Sequence, residues 1–425
     1  MIISCNGPDD PSPDGNFPDD GNTNPTSFLN VDPAVTYQTI SGFGGADGIF
    51  NGIDLTDDEA QLAFGTEEGH LGLSIFRVKL PYEPADWNRI SENARQAQQF
   101  GVKILASPWS PPPSLKSNSD PVGGFLPESS FAAYADHLND FINYMSGAGV
   151  DIHAITIQNE PDIEVSYESC DWTPSSMIAF IKAYGGDNIR TRIGAPESFQ
   201  FNQNFTNALL RDEEASAKFD IVAGHIYGGG LMPFPLAEEQ GKEIWMTEHL
   251  YNLGTGNAGA TPWSSRSEED KWDETMQMLS DIHTSMELNW HAYIWWYTKR
   301  YYSFIGDGTQ NTSTNTILKR GYAFSHYARF VRPGFTRVGT EFNSVRELAI
   351  TAYQGDEQTV IVIVNEGPTS VSNVGLSIAD QVPASATVYR TSLDQDVEQS
   401  EIQSENENLL FSVGPRSVTT IVIEQ

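Results

Sequence analysis

Two glutamates stand where an apolar run gives way to polar residues. One lies in Gln158-Asn159-Glu160-Pro161, the other in Trp245-Met246-Thr247-Glu248-His249. A charge at the end of an apolar strand is costly unless it is paired or used. Two such carboxylates facing each other suit acetal cleavage. One protonates the leaving oxygen; the other attacks carbon or activates water. Glu160 is the candidate acid/base and Glu248 the candidate nucleophile, whose charge helps Glu160 hold its proton. Asn159 is a candidate donor to a sugar 2-hydroxyl. Flat aromatics cover the apolar C–H faces of sugars, and the ends of other runs carry them. These are Trp109 in Ser107-Pro108-Trp109-Ser110, Tyr227 in His225-Ile226-Tyr227, and Trp296 in Tyr293-Ile294-Trp295-Trp296-Tyr297. Trp245, inside its run, reads as core. Either glutamate alone could be an ion-pair member; both together amid aromatics favour chemistry.

Something must hold these residues at one rim. Eight apolar strand segments are predicted: Thr39–Gly42, Leu73–Leu80, Lys103–Ser107, Ala154–Gln158, Arg192–Ala195, Asp220–Ala223, Glu243–Thr247 and His291–Trp295. Helical segments with apolar spacing near 3.6 lie between most of them, at Trp87–Phe100, Ser130–Ala148, Ser175–Tyr184 and Glu268–Met286. Strand-then-helix units repeated eight times read as an α/β chain, a (β/α)8 TIM barrel over 38–331. Catalytic groups of such barrels sit at the C-terminal strand ends. Past Arg332 helical periodicity stops, and short alternating strands follow at Glu347–Ala352, Thr359–Asn365, Ala386–Thr391, Leu409–Val413 and Ser417–Ile423. Residues 28–37 plus 332–425 therefore form an expected all-β side domain, a β-sandwich.

Residues 1–27, rich in Pro, Asp, Gly and Asn, read as an acidic tether with too few apolar groups to fold. Cys5, in Ile2-Ile3-Ser4-Cys5 before that stretch, looks like the acylated residue of a bacterial lipoprotein signal. A lipid anchor there, on a secreted or outer-surface protein, is the expectation. Cys170 is expected as a free thiol. The net charge of −33 argues against nucleic acid as a partner, since phosphate binding needs a basic surface. No apolar run is long enough for a transmembrane segment. His70, His225, His249 and His291 do not fall into a metal-ligand spacing, and no nucleotide loop or Ser-His-Asp signature occurs. No metal or other cofactor is expected.

The ordered motifs resemble those of glycoside hydrolase family 30. They are Thr39-Ile40-Ser41-Gly42-Phe43-Gly44-Gly45-Ala46, Ser107-Pro108-Trp109-Ser110-Pro111-Pro112, Gln158-Asn159-Glu160-Pro161, Trp245-Met246-Thr247-Glu248-His249, and Lys319-Arg320-Gly321-Tyr322 leading through His326 to Phe330-Val331-Arg332-Pro333-Gly334. Within the family, Trp295-Trp296-Tyr297-Thr298-Lys299-Arg300-Tyr301-Tyr302 is similar to the bacterial glucuronoxylanases of subfamily 8. That resemblance implies that Arg300 and Tyr302, with Tyr293, bind the carboxylate of a 4-O-methylglucuronate branch. It implies an endo-acting, retaining enzyme that cuts the β-1,4-xylan main chain of glucuronoxylan. A guanidinium fork matches a carboxylate in two parallel hydrogen bonds. Three features depart from the pattern. Lys299 stands where relatives often have Arg, Phe50 where they offer a Trp, and the loop 250–265 does not align. The alternatives are a family 30 hydrolase of another β-glycan (unbranched xylan or β-1,6-glucan), and a non-hydrolytic surface glycan-binding protein.

Overall fold

The computed structural model describes residues 25–48, 54–251, 262–344 and 348–424. The Cys5 anchor, most of the tether, Phe50 and most of the loop 250–265 lie outside these. The first strand, β1 (Ser27–Thr39), belongs to the side sheet. Eight parallel strands then close a barrel: β2 (Gly42–Ala46), β3 (Ile75–Leu80), β4 (Lys103–Pro108), β5 (Ile152–Thr156), β6 (Arg192–Ser198), β7 (Ile221–His225), β8 (Glu243–Glu248) and β9 (Ala292–Trp295). Seven of these overlap the predicted runs at three or more residues. The first does not: β2 starts where the predicted Thr39–Gly42 segment ends, because β1 runs on to Thr39. β2 reads Gly-Phe-Gly-Gly-Ala, which has little strand signal. Its neighbours leave no room for side chains: a Cβ on Gly44 would sit 2.3 Å from the Ile75 carbonyl, and one on Gly45 2.4 Å from Thr298.

The barrel interior is apolar. Ile75, Leu105, Ala154, Ala223, Trp245, Ala292 and Ile294 pack together inside it. Helices wrap the outside, the longest being Glu268–Glu287 and Phe131–Gly147. Among the described residues no helix is long and apolar enough to cross a membrane.

The C-terminal strands are β10 (Thr336–Asn343), β11 (Ala349–Gln354), β12 (Gln358–Asn365), β13 (Val371–Ile378), β14 (Ser385–Thr391), β15 (Glu398–Gln403), β16 (Leu410–Val413) and β17 (Ser417–Glu424). With β1 they form one hydrogen-bonded sheet in the order β15-β14-β17-β12-β11-β10-β1-β13-β16. Its two flanks share a core, Leu376 and Phe411 from one side meeting Val388 and Ile421 from the other. Side chains alternate between faces along a strand, and β12 uses both. Ile361 and Ile363 enter the sheet's own core, whereas Val360, Val362 and Val364 join the apolar cluster of the barrel. Each such burial contributes roughly 1.5–3 kcal/mol, so the sheet is fixed to the barrel wall. His326, from the family motif, seals this contact through Thr420 and Thr391, each 2.8 Å away.

Candidate active site

The strand ends meet around a buried guanidinium that sequence reasoning did not select. Arg77 lies inside β3, fully excluded from water. Burying a charge costs several kcal/mol unless partners surround it, and four do. Its Nη1 donates to Glu248 Oε2 at 2.6 Å. Its Nη2 donates to Asn159 Oδ1 at 2.7 Å and to Glu197 Oε1 at 3.2 Å, and Nε to Ser107 Oγ at 3.2 Å. The guanidinium also lies over the Trp109 ring, 4.7 Å from its centroid.

Glu197 is the second residue the sequence reading missed. It ends the barrel face of β6 with φ of 61°, a conformation that is strained for a non-glycine residue. Thr156 and Ser107 donate to its carboxylate at 2.5 and 3.1 Å. Burial works against its charge, yet Arg77 and His225 hold it down at about 2. His225, at the end of β7, bridges outward. Its Nδ1 is 3.0 Å from Glu160 Oε1 and its Nε2 is 3.9 Å from Glu197. Burial opposes the imidazolium, but Glu248, Glu160 and Glu197 outweigh it and raise the ring to about 9. At neutral pH His225 is therefore a cation donating to Glu160.

Glu160 lies four residues past β5, also at positive φ, 47°. Its amide donates to the Glu197 carbonyl at 3.0 Å, and the Asn159 amide to Pro108 at 2.8 Å. These bonds aim both side chains into the mouth. Tyr167 donates to Glu160 Oε2 at 2.6 Å and Tyr227 to Glu248 Oε1 at 2.9 Å. Burial and the adjacent carboxylates raise both phenols, which stay protonated donors. Glu248 is itself raised, by burial first, with the charge of Glu160 adding and His225 and Arg77 opposing. One donor atom each from Glu160, His225 and Glu248 falls within 4.8 Å of the others. That spacing could also hold a cation, although Arg77 already puts positive charge 2.6 Å from Glu248. Sequence spacing hid this grouping, because the three residues come from three strands.

The predicted aromatics divide into two sets. Trp109 and Trp296 face each other at the mouth, 5.9 Å apart, in a cluster with Trp263, Tyr297, Tyr301 and Tyr302. Tyr293 does not belong to it. It is fully buried below the rim, its hydroxyl 2.8 Å from His249 Nδ1. At that depth its hydroxyl supports His249. Trp245 fills the barrel interior. Cys170 is a buried free thiol, which burial raises to about 12.

The Arg300 loop is tightly built. Arg300 spends Nη1 on Asp307, 3.0 Å away, and its guanidinium lies over Tyr301. The Asp307 side chain is fully buried and that of Arg300 is a quarter exposed. Arg320 donates to the Tyr302 carbonyl at 2.7 Å and to Glu274 at 3.0 Å, fixing the loop from below. Lys299 turns away from the mouth to Glu59 at 2.6 Å, where it anchors the helix Asp57–Phe64.

No protein-family model matches the chain. It is similar to the glucuronoxylanase XynC of Bacillus subtilis strain 168, 33% identical over 409 residues, covering 94% of this chain and 92% of that one. The chain belongs to glycoside hydrolase family 30, subfamily 8. Two solved structures share its fold. One is a family 30 subfamily 8 xylanase, Xyn30A, from Clostridium acetobutylicum, with a TM-score of 0.81 and 29% identity over 94% of this chain and all of that one. The other is a GH30 endoxylanase from Clostridium papyrosolvens C71, at 0.80 and 30% with the same coverage. This family 30 chain is accordingly a glycoside hydrolase. Its barrel, closed on itself and joined to a mostly β side sheet, is the architecture expected from the sequence.

Proposed function

We propose that this family 30 hydrolase is an endo-acting, retaining xylanase that cuts the β-1,4 main chain of 4-O-methylglucuronoxylan where a glucuronate branch directs it. The observation that carries the chemistry is a carboxylate oxygen of Glu160 and one of Glu248 within 4.8 Å of each other. Carboxyl pairs about 5–5.5 Å apart retain configuration, and those about 6.5–9.5 Å apart invert it. The close pair supports retention. Glu248, receiving Arg77 and Tyr227, is the group best supplied with donors and attacks as the carboxylate. Glu160 protonates the leaving oxygen and then draws the proton from water. With Arg77 and His225 charged, three ionised carboxylates leave the cluster at −1, and one proton on Glu160 makes it neutral. Titrations in such a cluster belong to the group as a whole. Asn159 has its carbonyl oxygen taken by Arg77, so its amide N–H2 faces the task of binding a sugar hydroxyl.

Arg300 and Tyr302 would receive the branch. Asp307 holds one guanidinium nitrogen and so fixes the direction of the other edge toward a carboxylate. The same ion pair favours a second reading, a xylanase indifferent to branches, because Asp307 already neutralises Arg300. Product masses from 4-O-methylglucuronoxylan decide between them. One acidic branch in every fragment supports branch direction, and a random distribution rejects it. Export and a lipid anchor at Cys5 belong to the same proposal, and labelling of the cells with a radioactive fatty acid tests them.

A further inference from the structure

The chain that follows Glu160 doubles back to touch it. Tyr167 donates to Glu160 Oε2 at 2.6 Å, although Tyr167 is 40% exposed. Among the described residues, the backbone of 163–166 takes part in no backbone–backbone hydrogen bond. From Ser169 onward the chain is held. Lys116 donates to the Ser169 carbonyl at 2.6 Å. The Ser169 amide donates to Pro121 at 3.0 Å and the Asp171 amide to Gly124 at 2.7 Å. Tyr167 therefore sits at the end of an arm whose backbone bonds begin two residues later.

Glu168 fills that gap. Its two carboxylate oxygens lie 2.7 and 2.6 Å from Lys79 Nζ. The Lys79 side chain is 11% exposed and that of Glu168 24%. Side chains alternate along a strand, so Lys79 shares the face of Ile75 and Arg77 and stands above Arg77 at the mouth. The pair thus runs from β3 past the end of β4 to the loop after β5. An ion pair this near water contributes only about 0–1 kcal/mol to stability. Its leverage is geometric, because a displacement of about 1 Å at a reacting group costs on the order of 10²-fold in rate.

The proton's path gives that geometry a use. Buried His225 holds Glu160 Oε1, so Oε2, beside exposed Tyr167, is the oxygen that delivers the proton. As the glycosidic C–O bond breaks and Glu248 bonds to the anomeric carbon, that proton passes to the leaving oxygen and negative charge remains on Oε2. The Tyr167 O–H stabilises this charge, since a hydrogen bond to an ionised acceptor is roughly twice as strong as a neutral one. Resting on the reading of Glu160 as acid/base, we propose that the Lys79–Glu168 pair is a positioning device for acid catalysis, a strap that holds Tyr167 against Glu160.

Lys79→Met/Glu168→Gln removes the pair and leaves the net charge unchanged. The assay compares kcat/KM on the dinitrophenyl and phenyl β-glycosides of xylobiose bearing one 4-O-methylglucuronate. Dinitrophenolate leaves without a proton, whereas phenolate needs one. The dinitrophenyl-to-phenyl ratio should rise about tenfold in the pair variant, a part of the roughly 10²–10⁴-fold that general acid catalysis supplies. Tyr167→Phe should raise the ratio similarly, and the pair variant in that background should add less than about twofold, because the two act through one contact. Lys79→Arg, which still reaches Glu168, should keep the parent ratio. Should the pair variant fold poorly, Glu168→Asp, which withdraws the carboxylate by one methylene, should raise the ratio about threefold. Glu160→Ala tests the underlying reading by itself: no rise in the ratio removes the acid/base assignment and the strap with it. A rise with Glu160→Ala but none with the pair variant, or effects of the pair and Tyr167→Phe that multiply in full, overturns the strap alone. Should the parent cleave neither compound, the substrate reading fails, and the same ratios are taken on the aryl β-xylosides or β-glucosides that it does cleave.

Discussion

Glu197→Gln removes one charge from the buried cluster while keeping its shape. Glu197 lies 3.2 Å from Arg77 and 3.9 Å from His225. Unit charges about 4 Å apart interact by roughly 4 kcal/mol at an effective dielectric constant near 20. His225 retains Glu160 at 3.0 Å and the field of Glu248, so it keeps part of its elevation. We expect the ring to fall below its parent value of about 9. Its pKa is raised on folding from 6.5, so its stabilisation is fully present below 6.5 and lost as pH rises through about 9. At about 1.36 kcal/mol per pKa unit, that stabilisation is on the order of 3 kcal/mol. In the variant this contribution is smaller and its alkaline loss is complete at a lower pH. At the acid end the sign reverses. Glu197, depressed from 4.5 to about 2, stabilises above 4.5, and its contribution is lost as pH falls through about 2. Thr156 donates to one carboxylate oxygen and Ser107 to the other, so the amide oxygen keeps one of the two; Arg77 keeps Glu248 and Asn159, and the chain should fold with a loss of about 2–4 kcal/mol. Calorimetric Tm and kcat/KM, both followed from roughly pH 4 to 10, provide the assay. Coincident alkaline limbs in parent and variant would refute the claim that Glu197 acts through His225; a merely structural role lowers Tm equally at every pH.

Glu248→Ala should abolish turnover and leave polymer binding largely intact; residual activity within tenfold of the parent rejects it as nucleophile. Arg300→Ala should weaken transition-state binding on branched xylan by about 2–5 kcal/mol, read as kcat/KM beside neutral xylan, where equal loss rejects recognition of the branch. It also leaves buried Asp307 without its cation, so Tm should fall in parallel. With a net charge of −33 against an anionic polymer, affinity should rise as salt is added from a very low level, since fields decay over about 8 Å at physiological ionic strength. A monotonic fall across a titration counts against that balance. Gly224→Ala would bring a Cβ within 2.5 Å of the Phe201 ring, and we expect a loss of about 1–3 kcal/mol by chemical denaturation, the usual effect of overpacking.

The sequence by itself determined the periodic parts. Apolar runs broken by amphipathic helices specify a barrel because each strand must be covered on its outer face, and Glu160 and Glu248 were legible as charges at the ends of such runs. The same test was available for Arg77, a charge within Ile75-Phe76-Arg77-Val78, and for Glu197 after Ala195-Pro196, and it would have found both. Strands with little apolar signal escaped: glycine-rich β2, and β10, β13 and β15 in the side sheet, of which β10 and β13 both pair with β1, distant in the chain. Only the tertiary structure decided which charges meet. Arg77, Glu197, His225 and Glu248 come from four different strands, and closing the barrel brings them within hydrogen-bonding or Coulombic range in a water-excluded space. It also sent Tyr293 beneath His249, turned Lys299 toward Glu59 and paired Arg300 with Asp307. Side-chain type limits what a residue can do; its burial and its partners, which only the closed fold supplies, set its charge and its reach.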